Sequence, residues 1–451
     1  MGALLKLSRY VHEFSQTDKV AVYHALKIRV VFVSHEQWQA LDRSRSWINI
    51  DALLECFDQK DLKYLQKLGI LIKTDRADDQ LINQIREKET TKIDLRILYL
   101  ILSENCNLAC RYCFFEGQET KFPHPMTTTT IENGLKWFST WTGNQSPSSI
   151  ILYGGDPFKN PKGVKFAVNQ VFNMAQNGQL HHDSRTSIVT NGTLVKPRMV
   201  AELLPYREFL DVSVSLDGPK SIHDTYRTND HSIGSYRKAL NGFLCFRDGG
   251  FNPAISCTLT PLSLEKIDEI LDWIIEIQPG GISFNTMIDA PGMVMDCDYS
   301  VAVAETLIYA FEKLRDVGIY EDRMMRKIRS FIDQQIYTKD CGGCGRQAVI
   351  ASNGDIGICH ACAHDRLYFR ANVNLTPGFD PCSDAEFINW NQRFPINTPE
   401  CFDCQALGIC GGGCAFNAAN RHGSIWSIDD QFCPHAKKTL AWMIKELDRH
   451  P

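Results

Sequence analysis

Three cysteines fall within eight residues, in the run Cys106-Asn107-Leu108-Ala109-Cys110-Arg111-Tyr112-Cys113. They follow an apolar stretch, so they sit in the loop after a strand. Thiolates clustered in this way in a large chain are metal or iron–sulfur ligands. A structural zinc site takes four ligands, and this loop supplies three. A cubane [4Fe–4S] cluster held by three thiolates keeps one iron without a protein ligand. That iron can chelate a small molecule.

A second set begins at Cys341 and Cys344 and continues through Gly354-Asp355-Ile356-Gly357-Ile358-Cys359. Cys401, Cys404, Cys410 and Cys414 follow as CxxC, five residues, C, three residues, C, and Cys433 closes the set. Eight thiols suffice for two fully ligated [4Fe–4S] clusters; a zinc ribbon is the competing reading of the CxxC pair. Six of the 17 cysteines are left: Cys56, Cys245, Cys257, Cys297, Cys362 and Cys382. Cys245 and Cys257 lie inside apolar elements and read as small core hydrophobes. Cys362 makes a CxxC with Cys359 and could replace Cys341 or Cys344 as a ligand.

The rest of the composition is ordinary. The chain has 451 residues, 44% hydrophobic and 22% charged, with a net charge of −5. That excludes wholesale disorder, and the mild acidity argues against nonspecific nucleic-acid binding. No apolar run is long enough for a spanning helix, and the N-terminus has no signal-peptide core. A chain this long is no secreted disulfide scaffold, so the expected location is the cytoplasm.

These motifs need elements to hold them. Strands are expected at Arg96 to Ser103, Ser149 to Tyr153, Thr186 to Thr190, Leu210 to Leu216, Ala254 to Leu259 and Gly281 to Asn285. Helices are expected between them, at Thr129 to Trp141, Gly163 to Asn177, Ser235 to Arg247 and Leu264 to Ile277. Six strands alternating with helices argue a parallel, barrel-like α/β core with its chemistry at the C-terminal strand ends. Upstream, Ala21 to Leu26 and Arg29 to Val33 suggest a hairpin. Glu36 to Leu41, Ile50 to Cys56 and Asp58 to Leu68 read as helices, Gly69 as a helix stop and Ile70 to Ile72 as a strand. Asp78 to Thr91 reads as a charged linker helix.

The CxxxCx(aromatic)C loop and the motifs after it resemble the radical SAM superfamily over residues 95–290. The resemblance implies a partial (β/α)6 barrel whose open iron binds the amine and carboxylate of S-adenosylmethionine. Reductive cleavage of the sulfonium then gives a 5′-deoxyadenosyl radical that abstracts hydrogen from a substrate. By the same resemblance Gly154-Gly155-Asp156-Pro157 touches the methionine amine, with Asp156 where the family usually has Glu. Thr190-Asn191-Gly192-Thr193 resembles the element after the third strand. Ser215 and Arg227, in the SxDG…HDxxR stretch, would hold the cofactor carboxylate and ribose region. Tyr112 would lie beside the adenine, and Ile288 would line the same pocket.

The C-terminal cysteines resemble the SPASM extension. Its crossed arrangement implies a first auxiliary cluster on Cys341, Cys344, Cys359 and Cys414, and a second on Cys401, Cys404, Cys410 and Cys433. His360 stands where sulfatase maturases of this family carry a catalytic Asp; it is either a proton acceptor or an ordinary loop histidine, with His364 and Asp365 as lesser candidates. Residues 1–90 resemble the winged-helix recognition element of peptide-maturation enzymes, which binds a leader peptide as an added strand. The expected organisation is therefore 1–90 leader recognition, 95–295 radical SAM core, 296–340 bridging helices and 341–451 SPASM domain. The resemblance implies a radical SAM/SPASM maturase, related to anaerobic sulfatase-maturating enzymes, that modifies a precursor peptide or protein. Its cofactors would be S-adenosylmethionine and three [4Fe–4S] clusters, and its reductant a flavodoxin or ferredoxin, with no membrane or nucleic-acid partner. The competing enzyme reading is a sulfatase-maturase-like or small-substrate dehydrogenase, which requires a carboxylate base near the first auxiliary cluster. An iron–sulfur electron carrier is the non-enzymatic reading, and it leaves the open three-cysteine site unexplained.

Overall fold

The computed structural model describes residues 3–113, 122–289 and 294–449. Four strands, not two, precede the first helix: β1 (Leu4–Leu7), β2 (Val11–Ser15), β3 (Val20–His24) and β4 (Arg29–Val33). β2, β3 and β4 form an antiparallel sheet. β1 is the centre of a second small sheet, between β5 (Ile48–Asn49) and β6 (Leu71–Ile72). Helices His35–Arg43 and Gln59–Leu68 carry this unit's core, with Trp38, Leu41, Leu62 and Leu65 buried against Leu5, Leu7 and Val22. Gly69 ends the second helix at φ 79°, as its sequence position implies. The expected helix at Ile50 shortens to Ile50–Leu53.

Two further expectations are corrected here. The first hairpin strand stops at His24, because Ala25, Leu26 and Ile28 are buried in the turn beyond it rather than in the sheet. They pack on Phe394, Ile396, Leu407 and Ile409 of the C-terminal region. The charged helix Arg76–Thr90 is not a free linker. Its Ile82 and Ile85 join the same core, and buried Asp78 accepts from Ser8 Oγ at 2.8 Å and from the Arg9 amide at 3.1 Å.

The central sheet has nine strands. β7 (Ile97–Ser103), β8 (Ser149–Gly154), β9 (Arg185–Thr190), β10 (Leu210–Ser215), β11 (Ala254–Leu259) and β12 (Ile282–Thr286) run parallel in chain order. β13 (Gln347–Ile350) then pairs parallel to β7, and β14 (Asp355–Gly357) and β15 (Phe369–Asn372) continue antiparallel. The cysteine-rich region thus extends the barrel sheet directly. The connections are helices Thr128–Thr142, Pro161–Gln176, Tyr236–Asp248 and Ile267–Ile277, with Pro197–Leu203 and Lys220–Tyr226 added to those the sequence suggested. The expected helix at Leu264 breaks at Lys266 into Pro261–Glu265 and Ile267–Ile277. Cys297–Asp316 and Asp322–Ile332 bridge to the cysteine-rich part. Among the described residues no helix is long and apolar enough to cross a membrane.

Strand periodicity makes the two sheet faces unlike. Leu98, Leu100, Ile150, Leu152, Ile188, Val212, Val214, Ile255 and Phe284 point to the helices and form the main core. The alternate positions Tyr99, Tyr153, Ser187, Ser213, Ser215, Ser256, Thr258, Ser283 and Asn285 are half-buried on the concave face. The inner face therefore carries hydroxyls and amides on β10 to β12, with Ile151 and Val189 among them on β8 and β9, and an apolar cluster of Tyr99, Ile101 and Tyr153 at the β7–β8 side.

Candidate functional site

The loop of Cys106, Cys110 and Cys113 leaves the C-terminal end of β7 and is pinned from three sides. On one side the Gly155 amide donates to Ser103 O at 2.9 Å and the Asp156 amide to Asn105 O at 3.2 Å. On another, the amides of Ala109 and Arg111 donate to Thr228 O and Tyr226 O at 2.7 and 2.9 Å. On the third, Asn191 Nδ2 reaches Cys106 Sγ at 3.6 Å and Asn107 Oδ1 at 3.1 Å, while Asn107 Nδ2 donates to Thr193 Oγ1 at 2.8 Å. The double glycine is required by this packing. A Cβ on Gly155 would meet Asn105 C and O at 2.4 and 2.5 Å, and Gly154 holds φ at +135° with Ser103 O in the way of any side chain.

The Asp156 side chain is held by hydrogen bonds within the protein. The residue is fully buried, and its carboxylate accepts from the Phe158 amide at 2.9 Å, Thr190 Oγ1 at 2.8 Å and the Asn191 amide at 2.8 Å. Burial pushes this acid up from its ordinary value, while those hydrogen bonds oppose the shift. Asp156 therefore ties the β8 turn to the β9 turn, and both turns to the cysteine loop.

Arg227 is buried, and its Nε donates to Asp217 Oδ2 at 2.8 Å. Its Nη1 lies 4.0 Å from Cys110 Sγ, and the guanidinium stands over the Tyr112 ring at 5.3 Å. Tyr112 Oη also donates to Asp217, whose other oxygen accepts from the Thr258 amide at 2.9 Å. Asp217 thus joins the cysteine loop, Arg227 and β11; the sequence reading passed over it, although it stands inside the quoted Ser215-Leu216-Asp217-Gly218 motif. Ser215 ends β10 on the concave face, and Ile288 lies half-buried just after β12.

The eight C-terminal cysteines fall into two groups. Cys341 and Cys344 are in thiol–thiol hydrogen-bond contact, and Cys414 feels the charges of Cys341 and Cys359. Cys362 is fully buried and in thiol contact with Cys359, so this group holds a fifth sulfur. Cys433 feels Cys410, Cys401 and Cys404. Cys257 is a buried core residue, as its apolar setting suggests.

The donor chemistry of all three groups fits iron–sulfur ligation. Burial pushes the Cys106 thiol up to about 11 and those of Cys110, Cys401 and Cys433 to about 12. Such thiols are protonated at neutral pH and become thiolates only against a strong local cation. Every cysteine is free, and none is placed as a disulfide.

His360 follows Cys359 and stacks on Tyr99 with ring centroids 4.3 Å apart; it meets Tyr153 edge-on at 5.2 Å. Burial pushes its imidazole down to about 4, so it is neutral at pH 7. Tyr99 feels the charges of Cys341 and Cys359, and Tyr153 those of Cys113 and Cys359. These rings therefore line the barrel interior between the three-cysteine loop and the first C-terminal group. The sequence reading missed both tyrosines, though their period-2 spacing within β7 and β8 placed them on the inner face. His364 is buried near this segment, whereas Asp365 is exposed and accepts from the Leu367 amide at 2.9 Å. Three buried cations were also missed, Lys327, Lys339 and Arg393, because nothing local in sequence marks a cation as buried.

Residues 100–274 match the radical SAM superfamily. The radical SAM cyclopropyl synthase TigE of Paramaledivibacter caminithermalis is 22% identical over 488 residues, covering 98% of this chain and 96% of that protein. A cysteine-type anaerobic sulfatase-maturating enzyme of Clostridium perfringens is 23% identical over 370 residues, covering 78% of this chain and 97% of that one. Among solved structures, Streptococcus suis SuiB bound to S-adenosylmethionine superposes with a TM-score of 0.58 at 17% identity, covering 95% of this chain and 99% of SuiB. SuiB has also been solved bound to its precursor peptide SuiA.

Proposed function

We propose, for a chain that carries a radical SAM domain over residues 100–274 and is an enzyme of that class, that it modifies a precursor peptide or protein by hydrogen abstraction from a side chain or Cα. The product is a cross-link, a thioether or an oxidised residue. The observation that carries this reading is the three-thiol loop, braced by two glycine turns, at the mouth of a barrel whose inner face carries hydroxyls and amides. Cys106, Cys110 and Cys113 would hold a [4Fe–4S] cluster. With S-adenosylmethionine bound, that cluster would supply one electron, drawn from a flavodoxin or ferredoxin, to cleave the sulfonium into methionine and a 5′-deoxyadenosyl radical.

The chain's own residues then have distinct tasks. The Gly154 and Gly155 backbone would receive the methionine end of the cofactor. Ser215 and Arg227 would hold its carboxylate and ribose region, Tyr112 and Ile288 its adenine. Cys341, Cys344, Cys359 and Cys414 would hold a first auxiliary cluster, and Cys401, Cys404, Cys410 and Cys433 a second. His360, stacked on Tyr99 beside Tyr153, would accept a proton from the substrate. The Ser and Asn side chains of the concave face suit the main-chain amides of an extended peptide. Residues 1–90 would capture the leader as an added strand on the β2–β3–β4 sheet, whose two outer strands have free edges among the described residues. The reducing cytoplasm suits a chain of free thiols.

A dehydrogenase of the sulfatase-maturase kind gains no support from the site. The position that would carry its carboxylate is His360, and the inward strand positions named above carry no acid.

The test is anaerobic incubation with S-adenosylmethionine, reductant and the precursor encoded beside the gene, followed by mass spectrometry. The expected result is a precursor that has lost hydrogen, with deuterium from the target residue transferred into 5′-deoxyadenosine. Cofactor cleavage with no deuterium transfer from any precursor residue, but with transfer from a small alcohol, would overturn the peptide reading.

A further inference from the structure

Arg393 follows the helix Ala385–Asn391 and is only 4% exposed. Its Nε donates to Ile425 O and its Nη2 to Ser427 O at 3.4 Å. Its Nη1 is buried and has no hydrogen-bond partner among the described residues. No carboxylate lies within ion-pair distance of it there. Asp429 is the buried acid that feels its charge, and the oxygens of Asp429 are engaged by the Cys414 amide at 2.7 Å and Asn417 Nδ2 at 2.8 Å. A buried guanidinium without an anion is costly and is retained only where an anion compensates it.

Its surroundings show where that anion belongs. Arg393 lines a cavity together with Asp429, Cys401, Cys410, Cys433, Gly412 and Gly413. Its charge also reaches Cys341 and Cys344 in the other group, and on Cys344 and Cys401 it opposes the upward push of burial. Arg393 therefore lines the cavity of the second cysteine group, and its charge reaches the first.

We propose that Arg393 is a counter-charge shared by the two auxiliary clusters, one that favours their reduced states together. This rests on the reading that each group holds a [4Fe–4S] cluster. A fully thiolate-ligated cluster is anionic, and an added electron makes it more so. A fixed cation in a low-dielectric setting stabilises the reduced form more than the oxidised one. Serving both clusters, it raises both potentials and so eases the entry of an electron at either.

The experiment is a redox titration of the reconstituted holoenzyme, followed by electron paramagnetic resonance, for wild type, Arg393→Gln and Arg393→Lys, with iron counted in each. The expected result is that Arg393→Gln lowers both auxiliary midpoint potentials at full iron content, while Arg393→Lys stays near wild type. Full iron with unmoved potentials in Arg393→Gln, or a shift in only one cluster, overturns the shared counter-charge. Should Arg393→Gln lose iron, Arg393→Lys decides. Retained clusters at wild-type potentials support the charge; lost clusters assign Arg393 to holding Ile425 and Ser427, and overturn it. A wild-type protein with about four irons fails differently, because it removes the auxiliary clusters themselves.

Discussion

Replacing Asp156 by Asn tests whether this carboxylate positions the cofactor turn. One Asp156 oxygen accepts from both the Asn191 amide and Thr190 Oγ1, each at 2.8 Å, and the other accepts from the Phe158 amide at 2.9 Å. Asparagine keeps one acceptor oxygen. Whichever way its amide sits, an NH2 faces at least one buried donor. Hydrogen bonds to charged groups contribute about 1.5–3 kcal/mol each, and a buried unsatisfied donor costs about 1–3 kcal/mol. Removing the buried charge offsets part of that loss, since burial already pushes the acid up. A net local cost of about 2–4 kcal/mol follows. At about 1.4 kcal/mol per tenfold, the Asn191 and Gly192 amides should open about 25- to 700-fold more often. Hydrogen exchange with mass spectrometry on anaerobic holoenzyme reads this directly. Fast exchange should be confined to residues 190–193 and the cysteine loop that Asn191 touches. Unchanged protection there, with the variant folded and its iron complete, would refute the positioning role.

Gly155→Ala should displace Asn105 and Cys106 by backbone contact and cost about four irons, leaving the rest, as iron analysis will show. Deleting residues 1–90 uncovers Phe394, Ile396, Leu407 and Ile409 beneath the Ala25–Ile28 turn. That deletion should therefore weaken the second auxiliary site, where an independent leader-binding unit would leave all iron in place; iron counts on the truncated chain separate the two. Burial pushes His24 down to about 3 and His223 to about 4. Their folded values lie below the unfolded one of about 6.5, so the unfolded chain takes up protons first as pH falls. Stability is full above pH 6.5 and is lost below it, by about 2 kcal/mol per histidine at pH 5. Urea midpoints at pH 7 and 5 should differ less in a His24→Gln/His223→Gln variant than in wild type.

The barrel was legible because its strands are short apolar runs bounded by turn residues. Ile97 to Leu102 announces β7, the alternation of Leu210–Ser215 announces β10, and the glycine and asparagine turns at the strand ends announce the site. The N-terminal strands were not, since Leu4–Leu7 and Val11–Ser15 are short and mix Lys6, His12 and Glu13 into their pattern. The hairpin boundary misled for a related reason: the apolar run through Leu26 continues past the strand to cover the C-terminal region. The pairing of β13 with β7 joins segments far apart in the chain, and no local pattern encodes it. Among site residues, the cysteines declare themselves by spacing. Asp156, Asp217, Tyr153 and Arg393 acquire their roles from what packs against them, which single-residue chemistry does not reveal.

The central claim is that Cys106, Cys110 and Cys113 form an open site where S-adenosylmethionine is reductively cleaved. Anaerobically reconstituted wild type and the Cys106→Ala/Cys110→Ala/Cys113→Ala variant should be incubated with S-adenosylmethionine and dithionite, and 5′-deoxyadenosine quantified by chromatography. Wild type should produce it, with about 12 irons per chain. The variant should produce none while keeping about eight. Production by the variant at the wild-type rate would contradict the account.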